Sequence, residues 1–126
     1  MAQKLGIKPG TRLHLIAAPR DYSAVLGPLP PDSTVVRRVS NRTDIVQLFT
    51  TERATLETKL RELRATLRPD AAVWVSWPKR SSKVATDVTE DVIREVALPL
   101  GFVDVKVCAV TEVWSGLRLV VRKELR

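Results

Sequence analysis

The sequence predicts a three-layer α/β domain with a mostly parallel sheet, a shortened N-terminal half and a C-terminal antiparallel hairpin. Three observations carry this. The segment Ala71-Ala-Val-Trp-Val-Ser-Trp77 is apolar on both parities, as a strand covered on both faces must be. An amphipathic helical pattern precedes it and another follows it. The chain then closes on two β-rich segments joined by a short turn, which is the geometry of a hairpin and not of a crossover. With 126 residues, 44% of them apolar and 28% charged, one domain spanning 1–126 is expected.

Taken in order, Thr11–Ala18 is mostly apolar and bounded by Pro9-Gly10 and Pro19, and reads as a first strand. Asp21–Leu26 suits a short helix. Gly27-Pro-Leu-Pro-Pro-Asp32 cannot continue it, because proline lacks the N–H donor. Thr34–Val39 reads as a second strand and Asp44–Phe49 as a third. Only Ser40 to Thr43 join these two, whereas a parallel crossover takes roughly a dozen residues. The second strand is therefore expected to be antiparallel or to lie outside the sheet. Thr51 offers an N-cap, and Leu56, Leu60, Leu63 and Leu67 form one face of a helix. Pro69-Asp70 ends that helix. After the central strand, Pro78 to Thr86 is a basic, hydroxyl-rich loop. Asp87 and Glu90 resemble a capping box, and Val88, Val92, Ile93, Val96 and Leu100 give a second helical face stopped by Gly101. Val103, Val105, Val107 and Ala109 alternate with Asp104, Lys106 and Cys108, as in an edge or half-exposed strand. Trp114-Ser-Gly116 reads as the turn of the hairpin and Leu117–Lys123 as its return.

The charge constrains partners more than chemistry. A net charge of +7 and a pI near 10.2 favour anionic partners. Arg37, Arg38 and Arg42 form one acid-free cluster; Lys79, Arg80 and Lys83 form another. Both read equally as solvated loops that keep the chain soluble. Aromatics at 5% are sparse for a single-stranded nucleic-acid platform. One cysteine, Cys108, excludes an internal disulfide and a cysteine-rich zinc site, and one histidine, His14, excludes a two-histidine site. Ser115 has no base nearby in sequence, so no Ser-His-Asp arrangement is expected. Asp87, Glu90 and Asp91 suit the start of a helix better than a Mg²⁺ site. No apolar run reaches the length of a membrane span or a signal peptide, and a cytoplasmic location is expected. The oligomeric state is not readable, though the charged edge strand argues against open-ended strand pairing.

From Asp44 onward the order of elements resembles the second half of a class I methyltransferase-like Rossmann domain. The residues that carry it are LRPDAAVWVSW and the GFVDVKVCAV–WSG–LRLVVRK hairpin. The whole chain also resembles a family of small bacterial proteins of unassigned activity, through Trp74-Val-Ser-Trp-Pro-Lys-Arg-Ser-Ser82 and Thr86-Asp-Val-Thr-Glu-Asp91. The first resemblance implies a last strand inserted antiparallel beside a penultimate edge strand. It also implies an S-adenosylmethionine domain, but both usual contacts are altered. The glycine-rich loop after the first strand is replaced by Ile16-Ala-Ala-Pro-Arg-Asp-Tyr22, and the ribose-binding acid after the second strand by Ser40-Asn41-Arg42. S-adenosylmethionine is thus disfavoured as a cofactor, and no catalytic or metal-binding residue is assigned.

In such sheets ligands bind beyond the carboxyl ends of the parallel strands. That edge is expected to gather Ala17–Tyr22, Thr50–Thr51, Ser76–Thr86 and Thr111–Gly116. The leading expectation is a small anionic or nucleotide-like ligand, or a partner, held by Trp77, Lys79, Ser81, Ser82, Lys83, Trp114 and Ser115, with the two indoles stacking on a flat ring. Two alternatives stand beside it. One is an atypical or degenerate methyltransferase; the other is a nucleic-acid binder using Arg37, Arg38, Arg42 and Arg80 with the lysines of the loop. The plain structural reading is that the tryptophans fill core and the serines satisfy local backbone.

Overall fold

The computed structural model describes residues 1–126. Six strands form one sheet. In chain order the elements are α1 (Ala2–Leu5), β1 (Arg12–Ile16), α2 (Tyr22–Leu26), β2 (Thr34–Val36), β3 (Ile45–Phe49), α3 (Arg53–Thr66), β4 (Ala72–Pro78), α4 (Glu90–Ala97), β5 (Phe102–Ala109) and β6 (Trp114–Val121). The sheet order is β2-β1-β3-β4-β6-β5. The first four strands are mutually parallel, and β6 runs antiparallel to both β4 and β5. The last strand is therefore inserted and the penultimate strand is the edge, as the resemblance implied. No helix is long and apolar enough to cross a membrane.

The second strand corrects the expectation drawn from its short connection. It is parallel, and it lies in the sheet as the edge beside β1. The register explains why so short a crossover works. Val36 ends β2 opposite His14, and Ile45 starts β3 opposite Leu13, so the chain needs almost no return along the strand axis. It must move sideways by two strand spacings, about 10 Å, and a stretch such as Arg37–Asp44 can reach about 26 Å. Val39 and Ile16 both pack against the core on the α3 side.

Each face of the sheet carries its own core. On one, Val46, Leu48, Val73, Val75, Trp77, Leu117 and Leu119 pack under Leu56, Leu60 and Leu63 of α3 and Ile93 and Val96 of α4. On the other, Leu13, Ile45, Phe49 and Trp74 lie under α1, α2 and the Pro-rich loop, with Leu5, Tyr22 and Leu26 as the covering side chains. All seven residues of β4 are buried, in keeping with its central position. The second layer is thin because its helices have four and five residues. Trp74 stitches it down by donating its indole N–H to the Leu5 carbonyl at 3.0 Å.

The caps differ from those the spacing predicts. Glu52, not Thr51, occupies the N-cap position of α3 and makes no side-chain cap bond. The Arg53 N–H instead donates to Asp87 Oδ1 at 2.7 Å, from 34 residues further on. Thr89, not Asp87, caps α4, accepting from Val92 N–H. A cross-chain cap of this kind leaves no trace in local spacing. Trp114-Ser-Gly116 is strand and not turn; the chain reverses through Thr111–Val113, where Thr111 Oγ1 accepts from the N–H groups of Val113 and Trp114. Gly116 is where it is because a Cβ there would come within 3.0 Å of Val110 and 3.3 Å of Trp74. A bulge between Asp104 and Lys106 breaks the alternation of β5, so Asp104 lies beside Leu119 on the α4 side and Lys106 beside Arg118 on the α1 side.

Candidate functional site

The carboxyl ends of β1, β2, β3 and β4 and the start of β6 form one rim. The loop after β4 and the β5–β6 turn meet there: Lys79 N–H donates to the Val113 carbonyl at 2.7 Å, and Pro78 pairs with Trp114. The rim expected from sequence therefore exists, but the pleat divides its residues between two faces.

Trp77 lies on the α3/α4 face, 9% exposed, as the floor of a cleft of about 410 Å³. Its walls are Pro78, Lys79, Arg80, Val84, Thr86, Val88 and Thr89. Two hydroxyls shape it. Thr86 donates to the Thr51 carbonyl at 2.7 Å and accepts from Val88 N–H at 3.0 Å, which holds the loop against the end of β3. Thr89 caps α4, accepting from Val92 N–H at 3.2 Å, and forms the last part of the wall. Lys79 and Arg80 make no ion pair, whereas Arg53, Lys59, Arg68, Arg94 and Arg122 all do.

Ser81, Ser82 and Lys83 do not line this cleft. Ser82 closes its own turn, donating to the Lys79 carbonyl at 2.6 Å and accepting from Val84 N–H. Ser81 is exposed, and Lys83 turns the chain in a left-handed conformation, φ 61°. Ser115 pairs with Trp77 across the ladder and so shares its face. Trp114 pairs with Pro78 and falls on the opposite face, edge-on to Phe49, which is edge-on to Tyr22. The two indoles therefore cannot stack on one ring. That expectation fails because Trp77 and Trp114 sit at pleat positions of opposite parity, a relation that only the register between β4 and β6 reveals.

Trp114 walls two smaller concavities. One, about 230 Å³, has Pro19, Arg20, Asp21, Tyr22 and Val25 on its other side. The other, about 300 Å³, lies over the tips of β1 and β3, among Ala17, Phe49, Thr50, Thr51, Glu52 and Thr55. It is the topological switch point, since β1 leaves toward α2 on one face and β3 toward α3 on the other. Its backbone is strained: Ala17 has φ 57°, a left-handed conformation that suits glycine. Of the residues lining these concavities, Thr55 belongs to no local motif, whereas Thr86, Val88 and Thr89 lie in the Thr86–Asp91 segment, whose spacing points to a helix start and not to a cleft wall.

The arginines also separate. Arg37 and Arg38 directly follow β2 and so stand on the carboxyl rim. Arg42 lies toward the other end, beside Asn41, whose carbonyl accepts from Arg68 near the start of β3. No single patch of Arg37, Arg38, Arg42 and Arg80 forms. With β2 ending at Val36, the position beyond its tip is filled by Arg37-Arg38 and not by Ser40-Asn41-Arg42. The three acids near α4 are all engaged. Asp87 caps α3, while Glu90 and Asp91 bind Arg94, whose guanidinium is held above its ordinary pKa by Glu90 and then Asp104.

Comparison with solved structures is decisive for the architecture. An S-adenosylmethionine-dependent methyltransferase from Aquifex aeolicus aligns over 95% of this chain and 87% of its own, with a TM-score of 0.64 and 13% identity. A type 11 methyltransferase assignment from Sulfolobus solfataricus aligns over 98% and 90%, with a TM-score of 0.66 and 12% identity. The fold is methyltransferase-like. A ribosomal protein L11 methylase from Lactobacillus delbrueckii subsp. bulgaricus gives 0.56 over 95% of this chain and 74% of its own, at 12% identity. No protein-family model matches the sequence, and no curated protein matches it. At these identities the likeness is one of architecture. The methyltransferase-like sheet thus places the cleft over Trp77 and the crevice at Ala17 on the rim where such sheets bind ligands.

Proposed function

We propose that this chain is a non-catalytic methyltransferase-like domain that binds a small anionic or nucleotide-like ligand in the cleft over Trp77. The cleft itself carries the reading: an apolar indole floor, with Lys79 and Arg80 free of ion pairs and the Thr86 and Thr89 side chains in its wall. A flat, charged molecule of nucleotide size suits that combination better than a neutral one. Two features support a domain without methyl transfer. The loop after β1 holds Ala17 and Pro19 where the fold's relatives are expected to place glycine and a backbone donor, and Arg37-Arg38 stand where an acid would hold ribose hydroxyls.

The test is a nitrogen-15 NMR titration with pyrophosphate, ATP and S-adenosylmethionine. Pyrophosphate and ATP should shift the amides of Lys79–Thr89 and the Trp77 indole, and Lys79→Met or Arg80→Gln should weaken ATP by about tenfold each. A second reading, an enzyme with an unusual cofactor mode, draws on the crevice at the switch point. It predicts instead that S-adenosylmethionine shifts Ala17, Thr51 and Thr55. That result, with radiolabelled methyl transfer to any acceptor, would displace the first reading.

A further inference from the structure

The sheet ends at β5, which pairs only with β6 and leaves its outer backbone edge open. Open strands are templates for added strands, and proteins usually blunt them. Here the edge is marked by one sign of charge. Lys106 lies beside Arg118 on the α1 side, directly across the ladder. Arg118 is half-buried against the turn after α1, its guanidinium carbon 4.0 Å from where a Cβ on Gly6 would stand. Its Nε is sealed from solvent and has no hydrogen-bond partner, and the side chain makes no ion pair. That N–H is a donor without an acceptor, on a side chain whose charge has no partner. Lys4 stands in the last turn of α1, two residues before the Gly6 against which the Arg118 guanidinium lies; burial pushes the nearby Cys108 thiol up, with Lys4 and Lys106 opposing. The strand's own acid cannot neutralise them, because the bulge turns Asp104 to the other face, where it meets Arg94 at 3.0 Å. On that other face Val107, beside Leu117, is 54% exposed, and the bulged Val105 is 53% exposed.

We infer that the open edge of β5 receives an extended acidic segment of another protein as an added strand, its carboxylates meeting Lys4, Lys106 and Arg118 and its alternate apolar side chains covering Val107. The pleat sets this pattern, since successive residues of an added strand face opposite sides of the sheet. A second copy of the chain fits poorly: each copy carries +7 and would set Lys106 and its neighbours against like charge. An oligonucleotide satisfies the cations but offers neither strand hydrogen bonds nor a cover for the valines.

The experiment uses fluorescence anisotropy with a labelled twelve-residue peptide in which glutamate alternates with valine and threonine. Its glutamine counterpart and a labelled single-stranded RNA serve as comparisons. The glutamate peptide should bind saturably, and the glutamine peptide about tenfold or more weakly. Lys106→Glu, at an exposed position that does not threaten folding, and Arg118→Met, which keeps the apolar stem, should each weaken it by about tenfold. Arg61→Glu, on the exposed face of α3, makes the same charge change as Lys106→Glu and should leave binding within about twofold. Amide exchange in β5 should slow when the peptide is bound. Equal binding of both peptides, insensitivity to Lys106→Glu and Arg118→Met, or displacement of the peptide by the RNA would overturn the inference. Peptide-induced shifts at Lys79–Thr89 in place of β5 would do the same.

Discussion

Replacing Arg68 with methionine tests how the short β2–β3 connection is held to the sheet. The Arg68 guanidinium donates to Asp44 Oδ1 at 2.7 Å, to Asp70 Oδ1 at 2.9 Å and to the Asn41 carbonyl at 2.9 Å. Asp44 also accepts the Arg12 N–H at 2.8 Å, so one arginine links the crossover, the starts of β1 and β3, and the turn before β4. Arg68 and Asp44 are each 35% exposed and Asp70 is 73% exposed. The Asp44 bond, partly screened by solvent, contributes about 1 kcal/mol, and the Asn41 bond about 0.5 kcal/mol. The Asp70 pair, nearly a surface pair, adds only a few tenths. Arg68→Met should therefore cost roughly 2 kcal/mol and lower Tm by about 7 °C. The Asp70 share has a pH signature. Its hydrogen bond from Arg68 holds the carboxyl below its ordinary value. A carboxyl depressed in the folded state stabilises above its unfolded pKa, near 4, and loses that contribution as pH falls through the folded value. The deficit of the variant should be full at neutral pH and should narrow below about pH 4. Urea unfolding of both proteins at neutral and acid pH measures it. A variant as stable as its parent, or a deficit that does not narrow on acidification, refutes the reasoning.

Other expectations rest on single positions. Gln47 is fully buried, and its amide comes near the Tyr22 phenol without reaching hydrogen-bonding geometry, so Gln47→Leu should raise stability by about 1 kcal/mol; a lower urea midpoint would show that the amide and the phenol are partners. Ala17→Gly relieves a left-handed residue at the price of chain entropy, for a net gain of about 0.5 kcal/mol by the same assay, and a loss would show that the φ of 57° is not strained. Tyr22, the one tyrosine, has its phenol pushed up to about 12, chiefly by burial, with the Gln47 amide opposing and Cys108 assisting. An acid raised in the folded state loses stability as pH climbs from the unfolded value of 10 toward 12, since the unfolded phenol ionises first. Ultraviolet titration of the native protein should show no phenolate near pH 10, and an ordinary titration there would contradict the burial of Tyr22.

The parts legible in the sequence are those set by side chains acting locally. Residues 71–77 announced a strand buried on both faces because every position is apolar or small. The leucines from 56 to 63 announced the face of α3, and the hairpin announced an antiparallel last strand, whose insertion beside β4 only the methyltransferase resemblance implied. The carboxyl rim followed from topology, and Lys79 and Trp77 do share a cleft there. What local letters could not decide was register and reach. The crossover from β2 to β3 looked too short because its length was judged without knowing that Val36 and Ile45 lie at nearly the same height. Asp87 looked like the cap of its own helix, yet its carboxylate crosses to α3. Trp77 and Trp114 looked like two walls of one site, yet the β4–β6 pairing puts them on opposite faces. Burial and periodicity depend on a residue and its near neighbours, so the chain carries them in its order. Which strand lies beside which, and in what register, is fixed only when both faces of the sheet are packed at once.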